Sequence, residues 1–126
     1  MTGSYEKLAD WLEGEALQIR EIEKEASSAL HDNSDEQAYR ELMRSKAVRL
    51  AEMADNSESY MIGLKDDDRK RIAKRLKRFS SSASTSLEIG SVFFMSALLY
   101  PEDYVDGEKN DLESFADMVR SSGVSG

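Results

Sequence analysis

The sequence predicts an all-α protein: an antiparallel up-down-up bundle of three long helices with a short C-terminal helix. Three observations carry this prediction. Seven glycines and one proline in 126 residues leave few chain breakers. Apolar residues recur at alternating spacings of three and four over most of the chain, the period of helices that bury one face. Polar clusters with helix-cap signatures separate the periodic stretches. The length fits one domain over residues 1–126.

The first helix is expected over about residues 4–31. Tyr5, Leu8, Leu12, Ile19, Ile22, Ala26 and Ala29 form its stripe, with Ser4 as N-cap. The turn "HDNSD" follows, and Ser34 with Gln37 suits a capping box for a second helix over 35–62. Tyr39, Leu42, Met43, Ala47, Leu50 and Met53 share one face there, and the phase continues through Ser57, Tyr60, Met61 and Leu64 to a stop at Gly63. A break at "DNSES" (Asp55 to Ser59) is the competing expectation.

A third helix is expected over 66–100, capped by Asp66 or Asp67 and halted by Pro101. Its centre, "KRFSSSASTSLE", has the composition of a linker. Positions 72, 76, 79, 83, 86, 90, 93, 97 and 100 nonetheless keep one phase straight through it, so the serines are expected to be helical. Asn110 and Glu113 then form a cap signature for a fourth helix over 111–121, with residues 122–126 frayed.

The absence of cysteine excludes disulfides and thiolate metal sites. The N-terminal stretch lacks the pattern of a signal peptide, and a cytoplasmic protein is expected. The most apolar run, Ile89 to Tyr100, is much shorter than the roughly 20 residues a bilayer requires. No membrane association is expected.

The net charge of −8 is strongly segregated. Arg69, Lys70, Arg71, Lys74, Arg75, Lys77 and Arg78 supply seven of 17 basic residues within ten positions, so the remaining 10 basic and 25 acidic residues give −15 elsewhere. This run is a candidate patch for a polyanion or an acidic partner. Internal compensation is the favoured expectation, with Glu6, Asp10 and Glu13 of the first helix and Glu52, Asp55 and Glu58 of the second facing the run.

Glu15 and Lys46 occupy core-type positions of adjacent helices and form a candidate core ion pair, read as a register-fixing contact rather than a catalytic acid and base. The one histidine, His31, closes the first helix, where a cation suits the helix dipole. Glu52 and Asp55 point away from the second helix's stripe. No glycine-rich phosphate loop, nucleophile elbow or His-containing triad is present. No cofactor, metal site or small-molecule substrate is expected.

In the last part of the third helix Ile89, Val92, Met95 and Leu99 lie opposite the main stripe, making that segment apolar nearly all round. With Leu112, Phe115 and Val119 of the fourth helix they form the candidate interface. The expected function is therefore a non-enzymatic helical protein-protein interaction module or small regulator, homodimeric or bound to another helical protein. A nucleic-acid-binding regulator using residues 69–78, and an acidic inhibitor or decoy of a basic protein, are the alternatives.

Overall fold

The computed structural model describes residues 3–124, of Val124 the backbone only. The protein is all-α, with helices α1 (Ser4–His31), α2 (Glu36–Asn56), α3 (Asp66–Ile89), α4 (Val92–Ala97) and α5 (Asp111–Val124), and a single 3-10 turn at Glu58–Tyr60. Helix α2 packs between α1 and α3, and α5 packs along α1. Arg20 meets Glu113 at one end of the α1–α5 pair and Arg120 meets Asp10 at the other, so α5 runs antiparallel to α1. It closes an up-down-up-down arrangement, touching α3 through the Phe79–Phe115 ring contact at 5.5 Å.

The core is built from the periodic faces. Leu8, Leu12 and Ile19 of α1, Leu50 and Met53 of α2, Ile72 and Leu76 of α3, and Leu112, Phe115 and Val119 of α5 are buried in one cluster. Each such side chain contributes about 1.5–3 kcal/mol relative to leaving it in water. A second cluster of Ala26, Met43, Ala47 and Met95 joins α1, α2 and α4 beyond it.

The serine segment is helical throughout, and Ser80 explains part of its value. The buried Ser80 hydroxyl donates to the Leu50 carbonyl at 2.9 Å and accepts from the Ala54 amide at 3.0 Å, two groups one helical turn apart on α2. Small side chains let the helices approach closely enough for that double contact. Ser86 is also buried, its hydroxyl donating to the Ala83 carbonyl at 2.7 Å.

Several boundaries differ from the sequence expectation. Helix α2 ends at Asn56 rather than 62, because Asp-Asn-Ser is a poor helix-forming run and the Ser57 hydroxyl turns back onto the Ala54 carbonyl at 2.6 Å. Met61 and Leu64 still face inward, and Tyr60 stacks on Trp11 with centroids 5.0 Å apart. The apolar phase was real, but a 3-10 turn satisfies it.

The expected 66–100 helix is broken at Gly90, which adopts φ +71 and ends α3. The amides of Gly90 and Ser91 both bond the Ser86 carbonyl. Ser91 then caps α4 by accepting from the Phe94 amide at 3.1 Å. Helix α4 stops at Ala97, and Leu99 at φ +78 turns the chain before Pro101.

The caps also shift. Gly3, Asp35 and Lys65 stand at the N-caps of α1, α2 and α3, in place of Ser4, Ser34 and Asp66 or Asp67, and of the three only Asp35 gives a side-chain bond, from the Ala38 amide. Asn110 and Glu113 close reciprocally at the start of α5, each side chain taking the other's amide at 3.0 and 2.8 Å. Residues 122–124, expected to fray, continue α5, and 125–126 lie outside the described residues.

Candidate functional sites

Lys46 is fully buried, and its surroundings define the one large charged cluster inside the described fold. Its ammonium donates to the Ser96 carbonyl at 3.0 Å, lies 3.0 Å from Glu23 Oε2, and sits 5.1 Å over the Tyr100 ring. The Glu23 oxygen receives no well-directed hydrogen bond, so this contact is coulombic in character. Tyr100 donates to Glu23 Oε1 at 2.6 Å. Arg20 also lies over the Tyr100 ring, 5.6 Å from its centroid, and pairs with Glu113 at 2.7 Å.

The expected Glu15–Lys46 pair is therefore a correction. Glu15 pairs with Arg49 at 2.5 Å and Lys46 with Glu23. Side chains on a helix lean toward its N-terminus. On α2 this carries Lys46 toward the α1–α2 turn and Glu23, away from Glu15. The core position of Lys46 was legible, and the direction of lean would have named its partner.

Burial lowers the Lys46 pKa from its ordinary value, with Glu23 opposing the shift. Burial and the bond to Glu23 raise that of Tyr100. The Arg20 hydrogen bond holds Glu113 below the usual carboxylate range. An open cleft of about 650 Å³ lies beside the cluster, also lined by His31, Tyr39 and Asp106. The charged groups are nevertheless spent on one another: they fasten the segment after α4 to α1 and α2, which is structural work.

The basic run is only partly compensated. Arg69 and Arg71 pair with Asp66 and Asp68 one turn earlier, and Arg75 lies over the Phe79 and Phe115 rings. Among the described residues no carboxylate comes within ion-pair distance of Lys70, Lys74, Lys77 or Arg78. The expected neutralisation by Glu6, Asp10 and Glu13 fails because α5 lies along α1 and its Arg120 takes all three, at 4.0, 2.8 and 3.0 Å. Glu52, Asp55 and Glu58 reach no cation of the run.

The apolar candidate interface divides. Met95, Leu99, Leu112, Phe115 and Val119 are buried within the single chain, Val92 is half-buried, and only Ile89 is exposed. The break at Gly90 folds α4 back over α2 and α3, which covers the face that a straight helix would have left open. The same break turns Phe93 and Phe94 outward, 75% and 51% exposed, although Phe93 fits the inward phase of a continuous helix. A glycine followed by a capping serine at positions 90 and 91 was the signal available for this.

Beside these rings runs a groove between α3 and α4. One half, about 500 Å³, has Ser81, Ser82 and Thr85 on the α3 side and Ile89, Phe94 and Leu98 around them. The other half, about 380 Å³, shares Ser82, Ala97 and Leu98, and reaches Phe79 with Arg75 and Arg78 at its edge. Other exposed apolar residues, Leu17, Val48, Ile62 and Val105, stand on separate elements.

Comparison of the chain with protein families, with curated proteins and with solved structures gives no match. Among the described residues no helix is long and apolar enough to cross a membrane, and no three His, Cys, Asp or Glu side chains are grouped to hold a metal ion.

Proposed function

We propose that the protein is a non-enzymatic helical interaction module that takes a helix of a partner protein in the groove between α3 and α4. The observation that carries this is the exposure of Ile89, Phe93 and Phe94 together beside a wall of Ser81, Ser82 and Thr85. Exposed large apolar side chains gathered on one surface mark a docking site. Small residues along α3 permit close approach of a second helix, and a helix in a groove is a recurrent recognition mode. The pairing of Arg20 with Glu113, of Lys46 with Glu23 and of Tyr100 with Glu23 supports the non-enzymatic half, since these groups are engaged with one another.

Self-association is the second reading. It is favoured by the placement of the protruding rings and the hollow on one face, as an isologous two-fold contact requires. The test is a titration of isotopically labelled protein with a neutral amphipathic peptide, leucines at three and four spacing and glutamines elsewhere, followed by amide shifts. Saturable shifts confined to residues 81–98 that disappear in Ser82→Trp are expected. Absence of shifts, in a protein that sedimentation shows to be monomeric at high concentration, refutes both readings.

A further inference from the structure

The charge around the groove bears on what the partner is. The groove does not end at the apolar elbow: through Ser82, Ala97 and Leu98 it continues to Arg75 and Arg78. From Arg75 to Ile89 the helix rises about 21 Å, the length of a four-turn partner helix. Beyond Arg78 lie Lys70, Lys74 and Lys77, all exposed, and none of these four cations has a carboxylate within ion-pair distance among the described residues. Of the acids nearest in sequence, Asp66 and Asp68 are taken by Arg69 and Arg71 and Asp67 comes within ion-pair distance of none of the four, while Glu6, Asp10 and Glu13 of α1 are held by Arg120. Of the carboxylates on neighbouring elements, Asp111 alone lines the basic half of the groove.

Like charges at helical spacing, as at Lys70, Lys74 and Arg78, repel one another and weaken a helix by a few tenths of a kcal/mol per pair. A bound acidic segment would remove that penalty. The chain's net charge of −8 does not prevent this, because salt screens charges beyond about 8–10 Å and the local cations dominate at the groove.

Resting on the interaction-module reading, we infer that the natural occupant is an acidic amphipathic helix of another protein, its apolar stripe against Ile89, Phe94 and Leu98 and its carboxylates toward Lys74 and Arg78. A nucleic acid fits less well. Phe79, the aromatic nearest the basic face, is covered by Arg75 and is not open for base stacking.

The test compares three peptides with one leucine stripe and glutamate, glutamine or lysine at the remaining positions, alongside poly-glutamate and a single-stranded oligonucleotide. Fluorescence anisotropy gives affinity and amide shifts give location. The expected result is that the glutamate peptide binds about tenfold more tightly than the glutamine peptide, as two or three exposed ion pairs imply. That gain should vanish in Lys74→Glu/Arg78→Glu and at high salt, while Phe94→Ala weakens both peptides.

Equal binding of the glutamate and glutamine peptides overturns the acidic assignment and leaves the groove intact as a helix site. Poly-glutamate binding as tightly as the amphipathic peptide, or an oligonucleotide shifting residues 70–78 with affinity unchanged by Phe94→Ala, overturns it too. No groove shifts with any peptide overturn both the inference and the reading beneath it.

Discussion

Replacing Lys46 with methionine tests whether the buried cluster is a coupled unit. The ammonium is fully buried, and its loss strips the Ser96 carbonyl of its donor and leaves the Glu23 carboxylate facing the protein without its counter-charge. Removing one member of a buried pair costs about 3–5 kcal/mol in general. Glu23 keeps the Tyr100 hydroxyl on its other oxygen at 2.6 Å, so part of its charge stays satisfied and the cost falls to about 2–3 kcal/mol. At about 2.1 cal/mol/K per residue of unfolding entropy, this lowers Tm by about 8–11 °C for a chain of 126 residues.

The converse change, Glu23→Gln, leaves a buried cation unpaired, and its deficit should depend on pH. Burial already places the Lys46 pKa below that of the unfolded chain, and loss of Glu23 lowers it further. As pH rises through that depressed value the folded state gives up the proton while the unfolded state holds it to about 10.5, so stability rises over the window. Lys46→Met/Glu23→Gln keeps an acceptor for Tyr100 and leaves no unpaired charge, so it should return to within about 1 kcal/mol of the parent. Chemical denaturation of the four proteins measures the cycle. A double variant whose loss equals the sum of the two single losses refutes the coupling, and a neutral Lys46→Met refutes the burial argument.

Gly90→Ala should cost about 1–2 kcal/mol because φ +71 is left-handed, and Gly90→Asn should cost less; equal losses in thermal melts would show that the backbone there is not constrained. Ser80→Ala should lose about 1 kcal/mol and speed amide exchange at Ala54, whose N–H bonds the missing hydroxyl; unchanged exchange would refute the inter-helix bond. Glu113 has its pKa lowered, first by Arg20, so its contribution is present above about 4.5 and lost as pH falls through the depressed value; Glu113→Gln should flatten the acid limb of stability against pH, and an unchanged limb would refute the pairing.

The fold was legible where a single variable controls it. Apolar phase locates Leu8, Leu50, Leu76 and Val119 on the buried faces, and burial is what phase reports. Phase does not distinguish an α-helix from a tight turn that keeps the same residues inward, so residues 57–62 read as helix although the chain breaks within the competing stretch Asp55 to Ser59, with Met61 and Leu64 buried either way. It also does not register a single residue whose backbone escapes the helix. Gly90 sits in an inward slot of an uninterrupted pattern, and nothing in the spacing betrays that the chain turns there.

The site was less legible because it depends on which helices become neighbours. Seven cations between residues 69 and 78 are visible as a run, but whether they are answered is decided by α5, fourteen residues at the far end of the chain. By lying along α1, α5 brings Arg120 onto Glu6, Asp10 and Glu13 and places Phe115 beneath Arg75, while Lys74 and Arg78 remain open to solvent. A bundle lacking α5 would leave the acids of α1 without Arg120. The short helix thus does two jobs at once: it completes the core through Leu112, Phe115 and Val119, and it leaves the basic edge of the groove uncompensated by using the acids of α1 elsewhere. Removing Arg120 by Arg120→Ala frees those acids without disturbing that core, so any change it produces at the groove has to travel through charge alone.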